Sequence, residues 1–168
     1  HKLKKDKSLL LLIGKTFGHI EQSCFLKENF SITDGSPPDI NFFNEKNNGE
    51  TVLNLINLGL AHSVHDVSNG GLIVALCEMA MGSNYGIKIE KPKKIINSFE
   101  YYFGEDQGRY IVEINKDNLI NVEKVLQKND IYYELIGITQ KKYFEIEGLM
   151  KSDINDLFKI NNQWYNQY

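Results

Sequence analysis

The residues with the clearest chemical potential lie in one glycine-rich segment, which reads His65-Asp66-Val67-Ser68-Asn69-Gly70-Gly71. An apolar run precedes it, and the apolar stretch from Leu72 to Met81 that follows predicts a helix. Glycines let backbone N–H groups approach a ligand closely, and the first turn of a helix leaves N–H donors unpaired. The pattern therefore indicates an anion site beside which Asp66 would hold Mg²⁺ or a nucleotide hydroxyl. The alternative is an ordinary strand–turn–helix junction capped by Ser68 or Asn69.

A second segment, Phe103-Gly104-Glu105-Asp106-Gln107-Gly108-Arg109, places two carboxylates, an amide and a guanidinium in one turn before an apolar strand-like run. Arg109 is the single arginine among the 19 Lys and Arg residues of the chain. Its presence indicates a position where lysine would not serve, as where a planar, bidentate fork is needed. The alternative is a type I turn with a surface ion pair from Arg109 to Glu105 or Asp106, which stabilises a fold very little.

In their order and spacing, the two segments resemble the phosphoribosylformylglycinamidine synthase family, and more narrowly the last domain of that purine-biosynthetic synthetase. The family's His-Asp-Val-Ser-Asp-Gly-Gly-Leu and Glu-Met patterns are similar to residues 65–72 and 78–79, and its Phe-Gly-Glu…Arg pattern is similar to residues 103–109. Smaller matches are Leu10 to Gly14 with Thr16, Ser36-Pro37-Pro38 with Asp39, and Gly86.

Two departures from the family pattern affect the candidate site. Asn69 stands where the family usually has Asp, which removes one possible Mg²⁺ or sugar contact. Glu21-Gln22-Ser23 stands in place of a Gly-Gly-Ser turn, which puts a backbone phosphate contact there in doubt.

The resemblance implies that ATP activates an amide oxygen of formylglycinamide ribonucleotide and that ammonia then displaces the phosphate to give an amidine. ATP and Mg²⁺ are the implied cofactors, and the nucleotide is the small-molecule substrate. The implied partners are the remaining domains of the synthetase and a glutamine amidotransferase unit that supplies the ammonia. No catalytic residue is expected in this chain, because the family's general-base histidine and most Mg²⁺ ligands lie in other domains. The isolated chain is therefore expected to fold without catalysing the reaction.

Matching motifs also imply roles for individual residues. Asp66 and Gly104 are expected to touch ATP, Glu105 to help hold Mg²⁺, and Gln107 to meet the substrate, since Mg²⁺ prefers hard oxygen ligands. Support of the loop or of a phosphate is implied for four further residues, which are Ser68, Gly70, Gly71 and Arg109. Both segments are expected to lie together in space, with the carboxylates of Asp66 and Glu105 around one ligand and a mobile turn in its absence.

Other functional classes remain open. Thiamine-monophosphate kinase and aminoimidazole ribonucleotide synthetase share this domain type, and the kinase has a turn like Gly104-Glu105-Asp106, although its continuation differs from residues 107–109. The third alternative is a non-catalytic module that binds a nucleotide or a partner protein.

Length and composition bound these alternatives. The 168 residues, 42% of them apolar, fit a single domain spanning 1–168, which the resemblance implies is a fragment of a longer synthetase. A net charge of −3 argues against nucleic acid or an anionic membrane as a partner, and there is no apolar run of membrane-spanning length. Cys24 and Cys77 form no CxxC motif and fit reduced thiols of a cytoplasmic protein.

Hydrophobic periodicity predicts alternating strands and helices. Strands are predicted at residues 9–13, 61–67, 87–90, 109–114, 132–139 and 143–147. Helices are predicted at residues 50–58, 72–81 and 117–127, with a last one carrying Ile154, Leu157, Phe158, Trp164, Tyr165 and Tyr168. Residues 33–49 are predicted to be loop, and 91–102 an unassigned connector. This order predicts a mixed α/β (α+β) fold, a three-layer α/β/α sandwich with a mixed sheet. The resemblance implies the fold of the aminoimidazole ribonucleotide synthetase C-terminal domain. An exposed apolar face is expected around Ile87, Ile89 and a Phe42-Phe43 loop.

Overall fold

The computed structural model describes residues 1–90, 92 and 97–163. Its strands are β1 (Leu9–Ile13), β2 (Ala61–Val67), β3 (Gly86–Ile89), β4 (Arg109–Ile114), β5 (Tyr133–Gln140), β6 (Tyr143–Ile146) and β7 (Met150–Asp153). Its α-helices are α1 (Cys24–Phe30), α2 (Phe42–Asn57), α3 (Gly71–Met81), α4 (Ser98–Phe103), α5 (Leu119–Lys128) and α6 (Ile154–Asn162). A short 3-10 turn, Lys116–Asn118, leads into α5.

The strands form one seven-stranded sheet in the order β2-β4-β1-β5-β3-β6-β7. Neighbouring strands run antiparallel, except that β3 and β6 are parallel. The sheet is therefore mixed, as predicted. Both chemical segments adjoin the two strands at one edge of this sheet. Strand β2 leads into the glycine-rich loop, and β4 follows the turn at residues 103–109.

The sheet is covered on both faces. Alternate side chains of a strand point to opposite faces, so Leu10 and Leu12 of β1 join one apolar cluster and Leu9 and Leu11 join the other. The first cluster includes residues of α3, α4 and α6, and the second includes residues of α2 and α5. This arrangement confirms the predicted three-layer α/β/α sandwich.

Several predicted boundaries were wrong. Helix α2 begins at Phe42, because the Asn41 side chain accepts the Asn44 N–H and caps it, so Gly49 lies inside a helix and not in the predicted 33–49 loop. Helix α1 and strand β7 were not predicted, and the unassigned connector contains α4. The final helix is confirmed at Ile154–Asn162, whereas the predicted positions Trp164, Tyr165 and Tyr168 lie outside the described residues.

The predicted apolar face is half correct. Ile87 and Ile89 are fully buried, because β3 lies between β5 and β6 and is not an edge strand. Phe42 and Phe43 are 79% and 77% exposed, although they lie at the start of α2 and not in a loop. Among the described helices, none combines the length and apolar character that crossing a bilayer requires.

Candidate nucleotide and substrate site

Three loops meet at one end of the sheet. The last residue of β1 pairs with Tyr110, and the last residue of β2 pairs with Arg109, so β1 and β2 both end where β4 begins. The loop after β1 (residues 14–19), the glycine-rich loop (68–71) and the turn before β4 (103–109) therefore adjoin. The prediction that the two chemical segments lie together is confirmed at the level of the backbone.

The glycine-rich loop needs its glycines for both conformation and space. Gly70 and Gly71 have φ values of +80° and +71°, which non-glycine residues rarely adopt. A Cβ on Gly71 would lie 2.7 Å from the carbonyl oxygen of Gly104. Gly70 is the N-cap of α3, so neither Ser68 nor Asn69 caps the helix; Ser68 instead accepts the Gly71 N–H through its backbone carbonyl.

The anion position at this loop is taken by a side chain of the protein itself. Oε1 of Glu105 accepts the N–H of Gly70 at 2.7 Å and the N–H of Cys24, the first residue of α1, at 2.8 Å. Burial and the neighbouring Glu105 raise the pKa of the Cys24 thiol. Glu105 therefore joins the starts of two helices, and only its second oxygen is free of these backbone contacts.

The sequence implied no site role for Asp106, yet its side chain organises the loop after β1. Its carboxylate is 4% exposed and accepts three consecutive N–H groups, those of Phe17 and Gly18 at 3.0 Å and that of His19 at 3.1 Å. Such a row of converging N–H donors is typical of anion-binding turns. An apolar or amide side chain at position 106 would leave these donors without a charged acceptor.

Arg109 is buried and contacts the turn through several hydrogen bonds. Its guanidinium donates to the carbonyls of Gly104 and Asp106 and, at 3.3 Å, to the hydroxyl of Thr16. Nη1 lies 3.8 Å from Oδ2 of Asp106. Burial lowers the pKa of Arg109, while the charge of Asp106 opposes the shift. The alternative of a surface ion pair is wrong, and the turn expected to be mobile is held by hydrogen bonds on both sides.

Asp66 lies on the other side of the sheet end. It pairs with Tyr110 and lines a groove of about 400 Å³ between β2 and α2, whose walls include Val52 and Leu53. The Asp66 side chain is 67% exposed. The pKa of Tyr110 is raised, mainly by burial, then by the charge of Glu45, and least by the charge of Asp66. Glu105 contacts the start of α3, in the layer opposite α2, so the two carboxylates lie against different layers at the same end of the sheet, and their convergence on one ligand stays a prediction.

Two further predicted contacts differ in accessibility. Gln107 is exposed, and its amide makes only a 3.5 Å contact to the Glu105 carbonyl, so its side chain is available to a ligand. Gly104 is buried, its N–H donates to Glu100 and its carbonyl accepts Arg109, so its backbone groups are already paired. A Cβ at Gly104 would lie 3.0 Å from Gly18, which explains the glycine by close packing.

No complete metal site is formed by the described residues alone. Within 1–90, 92 and 97–163, no three His, Cys, Asp or Glu side chains are grouped to hold a metal ion. His65 is not a candidate ligand here, because its ring bridges β2 and α3, with Nε2 3.1 Å from Oε2 of Glu78. Of the two carboxylates in the turn, Glu105 is the one with an oxygen outside the backbone contacts described above.

The departures from the family pattern also have structural consequences. Gln22 occupies the left-handed region at φ +56°, where the resembled turn has glycine, and its side chain donates to the carbonyl of Gly35 at 2.7 Å. Glu21 accepts the N–H of Ser36 at 2.9 Å. The two substituted residues thus hold the loop between α1 and α2.

Comparison with known families assigns the class. Residues 7–147 match the model of the family "AIR synthase related protein, C-terminal domain", and the chain belongs to this family. The chain is 46% identical over 166 residues to the phosphoribosylformylglycinamidine synthase subunit PurL of Pelagibacter ubique, covering 99% of this chain and 23% of that protein. It is 36% identical over 165 residues to the same subunit of Rhodopseudomonas palustris, of which it covers 22%. The chain thus spans about a quarter of the length of these curated relatives.

Solved structures agree on the fold. Thermotoga maritima PurL in complex with FGAR superimposes with a TM-score of 0.73 at 16% identity, over 94% of this chain and 29% of that one. The Escherichia coli hydrogenase maturation protein HypE gives 0.63 at 16% identity, over 90% of this chain and 50% of that one. The predicted fold of the aminoimidazole ribonucleotide synthetase C-terminal domain is therefore confirmed.

Proposed function

We propose that this chain is the C-terminal domain of a phosphoribosylformylglycinamidine synthase and supplies one wall of its ATP and substrate site. The observation that carries the proposal is the 46% identity to a curated PurL over 99% of the chain. The proposed reaction belongs to purine biosynthesis. ATP phosphorylates the amide oxygen of formylglycinamide ribonucleotide, and ammonia attacks the carbon that carries this oxygen. Phosphate then leaves, and an amidine and ADP remain.

The proposal gives each part of the sheet end a task. Phosphoryl transfer depends on positioning and on charge stabilisation, which a rigid wall of loops supplies. Gln107, exposed beside the turn, is proposed to donate to or accept from the amide substrate. Asp66, at the mouth of the groove along α2, is proposed to accept hydrogen bonds from ATP. The ATP contact of Gly104 is proposed to be a packing contact, since its backbone groups are paired.

Mg²⁺ is proposed to be shared between Glu105 and ligands outside the described residues. Mg²⁺ typically binds one or two carboxylates together with phosphates and water, and it neutralises charge that develops on the phosphates. One oxygen of Glu105 accepts two backbone N–H groups, which fixes the carboxylate and leaves the other oxygen for the metal. Ser68, Gly70, Gly71 and Arg109 are proposed to support the loop and turn, and Arg109 does so without touching phosphate.

The proposed partners follow from the chain's share of its relatives. The rest of the synthase would complete the cleft, and a glutamine amidotransferase unit would deliver ammonia. Two free cysteines, Cys24 and Cys77, fit the cytoplasm that we propose as its location.

A chimeric enzyme tests the proposal. This chain replaces the matching segment of the Pelagibacter ubique PurL, and phosphate release is measured with formylglycinamide ribonucleotide, ATP, Mg²⁺ and ammonia. We expect turnover that requires the amide substrate, and no turnover from the isolated chain. A well-folded chimera that releases no substrate-dependent phosphate contradicts the proposal, and so does clear turnover by the isolated chain.

A further inference from the structure

The resemblance implies no role for Asp106, yet its side chain makes three hydrogen bonds to the loop after β1. At position 106, a buried carboxylate accepts the N–H groups of Phe17, Gly18 and His19. We propose that Asp106 is a positioning residue, which locks this loop to the turn and thereby sets the placement of Glu105 against the glycine-rich loop. This inference rests on the proposed function for its kinetic consequence, but not for its structural one.

The connection from Asp106 to the ligand-facing groups is short. While the Asp106 carboxylate holds the N–H of His19, the carbonyl of His19 accepts the N–H of Glu105 at 2.8 Å. Glu105 in turn accepts the N–H of Gly70. A shift of the loop therefore moves the backbone of Glu105 directly, and through its carboxylate the start of α3.

Arg109 provides a second connection between the loop after β1 and the turn. It contacts Thr16 of the loop and Gly104 of the turn, so it bridges the same two segments that Asp106 joins. Because Arg109 is fully buried, removal of the Asp106 charge leaves a buried guanidinium without its nearest carboxylate. Breaking one partner of a buried pair is costly, so the bridge would rearrange together with the loop.

Replacement by asparagine removes this function while keeping the shape of the side chain. In Asp106→Asn, one of the two oxygens that accept the N–H groups becomes an NH₂ donor. A donor then faces either the N–H groups of Phe17 and Gly18 or that of His19. The loop has to move away from the turn whichever way the amide is oriented.

A second buried carboxylate, Glu113 of β4, provides a matched control. Glu113 is fully buried and accepts the N–H groups of Lys4 and Lys5 at 2.9 and 3.1 Å, but it lies near the end of β4, away from the turn. Glu113→Gln therefore removes the same kind of contact, carboxylate to backbone N–H, at a distance from the turn. A merely structural role for Asp106 predicts that the two variants behave alike.

The experiment measures backbone hydrogen exchange and steady-state kinetics of the full-length enzyme that carries this chain, as wild type, Asp106→Asn and Glu113→Gln. We expect Asp106→Asn to speed exchange at residues 17–19, 68–71 and 103–109 together, and Glu113→Gln to leave these segments unchanged. Gly18→Ala, at φ +81°, disturbs the same contact from the loop side and should reproduce the pattern of Asp106→Asn. In the kinetics, the KM for ATP should rise on the order of 10- to 100-fold in Asp106→Asn, with a smaller change in kcat.

The outcomes separate this inference from the proposed function. If the wild-type enzyme has no synthase activity, the proposed function is contradicted. The hydrogen-exchange pattern then still tests the role of Asp106 independently. Faster exchange confined to residues 17–19, or equal effects of the two substitutions on the three segments, overturns the positioning role. If Asp106→Asn does not fold, Gly18→Ala gives the same readout, and unchanged exchange at 68–71 in that variant counts against the inference.

Discussion

Replacing Gly71 by alanine should destabilise the fold by more than its backbone conformation alone explains. At φ +71°, a residue with a Cβ adopts the left-handed conformation, which costs about 1–2 kcal/mol of conformational energy. The added Cβ would also lie 2.7 Å from the Gly104 oxygen and 2.7 Å from the carbonyl carbon of Phe103. These are backbone atoms and cannot rotate away, so we add about 1–3 kcal/mol for overpacking. The expected loss in the free energy of unfolding is about 2–5 kcal/mol.

Gly59 provides the control, because its φ is +66° and a Cβ there would meet nothing within 4 Å. Gly59→Ala should therefore cost only the conformational part, about 1–2 kcal/mol. Urea denaturation of both variants gives the two losses from the shift in midpoint at a common slope. If Gly71→Ala destabilises the chain no more than Gly59→Ala does, the close approach of the glycine-rich loop to residues 102–104 is not a real constraint.

Three further changes have defined outcomes. Gln107→Ala should leave the free energy of unfolding within about 0.5 kcal/mol, because the side chain is exposed; in the full-length enzyme it should raise the KM for the amide substrate, and an unchanged KM removes its assigned role. Burial raises the pKa of Cys77 to about 12 from 9.0, so the folded chain keeps a proton that the unfolded chain loses, and stability should fall as the pH rises through this window. Cys77→Ser should make the free energy of unfolding fall less steeply with pH, by up to about 1.4 kcal/mol per pH unit between pH 9 and 11. If denaturation gives the same pH slope for wild type and variant, the raised pKa of Cys77 is contradicted. Gln22→Gly should relieve the left-handed strain at φ +56° but lose the hydrogen bond to Gly35, so stability should change by less than about 1 kcal/mol while amide exchange of residues 34–36 accelerates. Slower exchange there would show that the contact does not hold this loop.

Periodicity was sufficient for the elements that build the core. The run Leu9–Ile13 alternates between two apolar clusters, and the all-round apolar helix α3 contributes the buried residues Leu72, Leu76 and Met79. Such patterns identify an element from its own residues. Helix α2 was placed too late, because the cap at Asn41 and an interior glycine, Gly49, together read as loop.

The contacts inside the site depend on partners far apart in sequence. Asp106 takes its three donors from a loop 87 to 89 residues earlier, and Glu105 takes one from Cys24, 81 residues earlier. No local pattern reveals that a turn carboxylate has such partners. The sequence did single out Arg109, since one arginine among many lysines is unusual, but not whether it was buried. The layer that Asp66 faces follows from the register of β2 against β4, which local pattern alone leaves undetermined.

Ligand-dependent hydrogen exchange shows whether residues 68–71 and 103–109 form one ligand-binding wall of a synthase. Exchange is compared in the full-length protein with and without ATP, Mg²⁺ and formylglycinamide ribonucleotide. We expect slower exchange in both segments at once. Strand β7 (Met150–Asp153), at the opposite edge of the sheet, serves as the unchanged reference. Protection of neither segment, or of only one of them, would contradict this expectation.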